Sequence, residues 1–118
     1  MRILVTGGTG FIGSNIALEL IRQGHEVLIT GTDAEQKIPG FKGKYLQPNF
    51  LGLDWDSIGK LDAVFHEAAI NDTTNLDERE MMRANTDSAM ALFQNAIKNG
   101  CKKIVGHRRV TRKSKHDQ

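Results

Sequence analysis

Apolar residues along this chain alternate between two patterns, short unbroken runs and longer stretches at helical spacing. Arg2–Thr6 is a run centred on Ile3, Leu4 and Val5 that ends in Gly7-Gly8, the pattern of a strand buried on both faces. Over residues 11–23, Ile12, Ile16, Leu20 and Ile21 recur at helical spacing, and Gly24 supplies a stop. Glu26–Thr30 predicts a second strand. Residues 32–43 are polar and hold two glycines and a proline, so they are expected to form a loop. Residues 45–47 predict a short third strand. Residues 54–58 predict one helical turn with Asp54 as its cap, and residues 62–66 predict a fourth strand. Residues 77–99 predict a long helix with an inward stripe of Met81, Met82, Ala84, Ala89, Leu92, Phe93, Ala96 and Ile97. Its acidic first turn (Asp77, Glu78, Glu80) and Lys98 in its last turn complement the helix dipole. Gly100 ends it, and residues 103–105 start a fifth strand. Strands and helices alternating through short links imply a parallel sheet with helices on both faces.

The chemistry concentrates in one turn. In Thr6-Gly7-Gly8-Thr9-Gly10-Phe11-Ile12-Gly13, the residues Gly8, Gly10 and Gly13 satisfy G-x-G-x-x-G between a strand and a helix. Glycine there permits a tight turn and lets bare backbone approach a pyrophosphate. Gly13 lets the helix pack close to the strand. The helix start adds unpaired N–H donors and the positive end of the dipole. A dinucleotide is the expected partner.

Composition narrows the setting. The 118 residues, 39% of them hydrophobic, suffice for one domain. Cys101 is the only cysteine, so no intrachain disulfide can form, which suggests a reducing, cytoplasmic setting. No apolar run approaches the roughly 20 residues of a membrane-spanning helix. The net charge of +2 conceals an asymmetry: residues 1–101 hold 9 Lys+Arg against 13 Asp+Glu, and residues 102–118 hold 7 against 1. Residues 1–105 therefore read as the nucleotide-binding domain and residues 106–118 as a basic tail. The tail is dense in phosphate-pairing cations, but it has no aromatic residue for stacking on bases. Charge runs of this kind are usually solvated, so nucleic acid is not the partner expected.

T-G-G-T-G-F-I-G resembles the extended short-chain dehydrogenase/reductase superfamily, the NAD(P)-dependent sugar-nucleotide epimerases and dehydratases. Phe65-His66-Glu67-Ala68-Ala69 resembles that family's H-x-A-A at the end of the fourth strand, and Asn85 in R-A-N-T-D resembles its N-V-x-G-T. The runs E-A-A-I-N-D-T-T and M-M-R-A-N are similar to heptose-sugar-nucleotide epimerases, within a group that includes UDP-glucose epimerases. The resemblance implies a Rossmann-like doubly wound parallel sheet, here truncated after the fifth strand. It also implies Gly7, Gly10, Phe11, Ile12 and Gly13 at the pyrophosphate, and Ala68, Ala69 and Asn85 along the dinucleotide. Asn49-Phe50 stands where the family usually has D-I or D-L beside the adenine. In the parent enzyme it implies a sugar nucleotide as substrate and, by analogy, a homodimer through the long helix.

Two features depart from the pattern. NAD-binding versions end the second strand in an acidic residue that holds the ribose, whereas this chain has Gly31 there and Asp33 two residues later. Asp33 fits either a ribose ligand or a solvated loop. No Arg follows to meet a 2′-phosphate, and Lys37 is the nearest cation. NAD is the expected cofactor, with NADP still open. Of the pair His66 and Glu67, strand alternation points the two side chains to opposite faces, which favours a structural His66. Thr73 and Thr74, after Asp72, fit either substrate contact or a helix cap.

The second departure is the end of the chain. The family's fifth strand leads into A-S-S and then a catalytic Tyr-x-x-x-Lys. Here the only tyrosine is Tyr45, with Asn49 four residues on, so no catalytic residue is assigned. Val-Gly-His-Arg-Arg at 105–109 permits codons that read Val-Trp-Ala-Ser-Ser once a base is restored at the valine. That fit suggests out-of-frame translation beyond this point. A catalytically silent dinucleotide module, such as a redox sensor, and a basic-tailed nucleic-acid binder are the competing readings. A half-sheet of this kind is also expected to self-associate.

Overall fold

The computed structural model describes residues 1–68 and 78–106. Five parallel strands, β1 (Arg2–Thr6), β2 (Glu26–Thr30), β3 (Lys44–Gln47), β4 (Ala63–His66) and β5 (Lys103–Gly106), lie in the order β3-β2-β1-β4-β5. Helix α1 (Phe11–Arg22) links β1 to β2, and α4 (Glu78–Lys98) precedes β5. Between them sit two four-residue helices, α2 (Ala34–Lys37) and α3 (Trp55–Ile58). The sheet is the doubly wound, Rossmann-like arrangement expected from the alternation.

Strand alternation divides the core into two layers. Leu4, Leu28 and Val64 face one way and pack with Leu92 and Ala96 of α4, together with Phe50, Leu53, Ile58 and Leu61. Ile3, Val5, Val27, Ile29 and Ala63 face the other way and pack with Ala17 of α1. The central strands are therefore apolar at successive positions because both faces are covered. Arg2 fixes the start of β1. Its N–H donates to Asp62 at 2.7 Å, and its guanidinium pairs with Glu26 at 3.1 Å and donates to the Ile58 carbonyl.

The structure corrects several expectations. The stretch 32–43, expected as loop, contains α2. Gly106, expected in the tail, continues β5 and pairs with His66. In α4 the stripe is narrower than expected. Leu92 and Ala96 are buried, whereas Met82 and Ile97 are about 60% exposed, because a helix lying on a sheet buries one side and those two point away from it. Ile12 is also exposed, at the free end of α1. Asp72, Thr73, Thr74, Asp77, the side chain of Met81 and residues 107–118 lie outside the described residues. Among the described residues, no helix is long and apolar enough to cross a membrane.

Candidate cofactor-binding site

The strand order reverses between β1 and β4, which is where such sheets open a crevice at their carboxyl ends. The glycine turn leaves β1 on one side of that crevice, and Glu67-Ala68 leaves β4 on the other. The glycines differ in why they are glycine. Gly7 has φ +69°, and a Cβ there would come 2.8 Å from the Ala68 nitrogen. At Gly8 a Cβ would meet the Ile29 side chain at 2.7 Å, and at Gly13 it would land on the Gly7 carbonyl oxygen. These three glycines are demanded by packing within the protein.

Gly10 is not. Its φ is −75°, which any residue adopts, and a Cβ there would make only an ordinary 3.5 Å contact with the Gly7 carbonyl. It is exposed and occupies the cap position of α1, whose first N–H groups, from Phe11 onward, have no helical partner. The Gly10 N–H donates to the Gly7 carbonyl at 3.1 Å, and Ser14 N–H donates to the Gly10 carbonyl at 2.8 Å, which closes the turn and starts the helix. A bare, conformationally ordinary glycine beside free donors and a positive dipole end is a cradle for an anionic group.

A buried hydroxyl joins the two sides of the crevice. Thr6 Oγ1 accepts the N–H of Glu67 at 3.1 Å and of Ala68 at 3.2 Å, and lies 2.6 Å from His66 Nδ1. With two N–H groups donating to it, the hydroxyl gives its own hydrogen to Nδ1, so His66 is neutral with its proton on Nε2. Burial pushes the imidazole pKa below its ordinary 6.5, in agreement. The ring stands edge-on to Phe50 (4.7 Å) and Phe93 (5.6 Å). His66 is thus a packed strut under the site. Neither Thr6 nor this bond was legible in the sequence, because it depends on residues sixty positions apart meeting across two strands.

The other expected residues are distributed unevenly. Asn49 is exposed, and its side-chain carbonyl accepts the Leu51 N–H at 2.9 Å, leaving the amide donors uncommitted. Phe50 turns its ring into the core, where it is 6% exposed. Asn85 is half-buried early in α4. Asp33 is exposed and is the only non-glycine with positive φ among the described residues (53°), and its side chain does not cap α2. Ala69 lies outside the described residues.

The chain resembles known proteins in sequence and in fold. The chain is 38% identical over 100 residues to an ADP-L-glycero-D-manno-heptose-6-epimerase of Alkalilimnicola ehrlichii, covering 77% of this chain and 31% of that protein. It is 34% identical over 116 residues to a UDP-N-acetyl-alpha-D-glucosaminuronate decarboxylase of Bacillus cytotoxicus, covering 88% and 35%. A UDP-glucose-4-epimerase structure from Stenotrophomonas maltophila, with bound NAD and formylated UDP-arabinopyranose, superimposes with a TM-score of 0.70 at 27% identity, covering 90% of this chain and 36% of that one. The chain thus spans about a third of the length of these proteins. The family profile matches residues 3–107, and the chain belongs to the NAD dependent epimerase/dehydratase family.

Proposed function

We propose that the chain binds NAD at the glycine turn, as the nucleotide-binding part of a sugar-nucleotide epimerase or dehydratase. The observation that carries this reading is Gly10. The packing excludes a side chain at Gly7, Gly8 and Gly13 but leaves room for a Cβ at Gly10, so a bare Cα there keeps the start of α1 open to something outside the protein. In this reading the Phe11–Gly13 backbone receives the pyrophosphate, Ala68 lies along the dinucleotide and Asn49 donates to the adenine. The bound nicotinamide would supply a hydride acceptor and donor for a sugar carbon. The chain's own residues bind and orient, since none of the 118 forms a Tyr-x-x-x-Lys. The sugar nucleotide and the homodimer belong to the parent enzyme.

The test is Gly10→Val. Calorimetric titration with NAD+ should show affinity at least about tenfold lower than the native chain, because the branched side chain stands between the backbone donors and the phosphates. The thermal midpoint should fall by no more than several degrees, the cost of a poorer helix cap, with the fold retained by circular dichroism. Unchanged affinity would sink the reading.

A further inference from the structure

The ribose end of the site departs from the usual acidic arrangement. In NAD sites a carboxylate after β2 accepts from the ribose hydroxyls, and its charge opposes a 2′-phosphate. In this chain β2 ends at Thr30, and the next residue is the buried Gly31. A Cβ at Gly31 would land on the Thr9 hydroxyl, 2.8 Å from Thr9 Cγ2 and 2.9 Å from Thr9 N. The backbone cannot swing aside freely, because Gly31 N–H donates to the Gln47 carbonyl of β3 at 3.1 Å. Thr9 is itself 7% exposed. The space from which an acidic side chain would start is therefore filled by a neutral threonine, and a side chain at 31 would have to displace Thr9.

Among the described side chains, the charges nearby do not restore a preference. Asp33 and Lys37 bracket α2, both exposed and of opposite sign. Asp33 stands three residues past the end of β2, in a left-handed conformation that already turns the chain away from extended geometry.

We propose, on the reading that the glycine turn binds dinucleotide, that the Thr9–Gly31 contact makes the ribose end uncharged, so that the chain takes NAD+ and NADP+ alike. Thr9 and Gly31 are then the residues that set cofactor selectivity.

The experiment is calorimetric titration of the whole chain with NAD+ and, separately, NADP+, repeated with Asp33→Asn and with the double variant Thr9→Gly/Gly31→Asp. The native chain should bind the two with affinities within about threefold, since among the described side chains no carboxylate is fixed at the end of β2 to oppose the 2′-phosphate. Asp33→Asn should leave the ratio unchanged. The double variant, checked for folding by circular dichroism, should favour NAD+ by about tenfold or more. A native preference for NAD+ above tenfold that Asp33→Asn abolishes would overturn the proposal and assign the ribose to Asp33, with the binding reading intact. A native chain that binds neither nucleotide would overturn the binding reading and, with it, this inference.

Discussion

Thr6 shows how one hydroxyl can hold two loops together. It accepts the Ala68 N–H and donates to His66, so Thr6→Val, nearly the same shape, leaves a backbone donor and an imidazole nitrogen unpaired. At about 1–3 kcal/mol for each of the two buried orphans, urea unfolding should show a loss of about 2–6 kcal/mol, whereas Thr6→Ser should remain near native. His66 adds a pH dependence of known sign. Its pKa is lowered in the folded protein by burial, so the unfolded chain takes up a proton first as pH falls. The stability that depends on neutral His66 is complete above about pH 6.5 and declines below it, down to the folded-state pKa. Comparing native and His66→Asn unfolding between about pH 5 and 7.5 isolates that contribution from the other histidines. An identical slope in both would refute it. Gly13 is the stricter case. With the Gly7 carbonyl where its Cβ would be, Gly13→Ala should destabilise by about 1–3 kcal/mol and weaken NAD binding together with the fold.

Among the elements, α3 and α4 depend on one another. A four-residue helix cannot sustain itself, and α3 is held by Asp54 capping the Ser57 N–H at 3.3 Å and by Asn99. The Asn99 amide at the end of α4 donates to the carbonyls of Trp55 at 3.0 Å and Gly59 at 2.8 Å. Asn99→Ala removes both bonds and should cost about 1–3 kcal/mol. Since Trp55 is the only tryptophan, its fluorescence should shift in the native baseline as α3 loosens. Burial on α4 is concentrated at Leu92 and Ala96. Leu92→Ala should therefore cost about 2–5 kcal/mol, whereas the same truncation at the exposed Met90 should cost little.

For the molecule as a whole, apolar surface is left open on both faces. Met82, Met90 and Ile97 form an exposed stripe along α4, each separated from the next by about two helical turns. On the opposite face, a groove of about 430 Å³ runs beside α1, lined by Phe11, Ile12, Ile16, Leu20 and Phe65. Open apolar patches of this kind drive association. Sedimentation velocity should show self-association that rises with concentration and is reduced by Met90→Lys/Ile97→Lys; a clean monomer at all concentrations would count against it. Sequencing the gene around codon 105 tests the frame beyond β5, and an uninterrupted frame with no downstream Tyr-x-x-x-Lys would refute a frameshift.

The five strands, both long helices and the glycine turn were legible from the sequence, because each is specified locally. Strand and helix follow from the period of the apolar residues, and the turn follows from glycine spacing. What stayed hidden depends on residues distant in sequence meeting in space. The apolar pattern gave α4 a stripe that included Met82 and Ile97, since periodicity records which positions are apolar and not how wide a face the sheet covers. The resemblance sets Phe50 beside an adenine, and only the tertiary structure shows that its ring packs edge-on against His66 at the core. The glycine turn made Gly7, Gly8, Gly10 and Gly13 look alike, and only the approach of Ala68, Ile29 and the Gly7 carbonyl separated the three where packing excludes a side chain from Gly10, where it does not. The missing acid at Gly31 was visible in the sequence. Its physical reason, a threonine from the turn filling the space where a side chain would start, belongs to the tertiary structure alone.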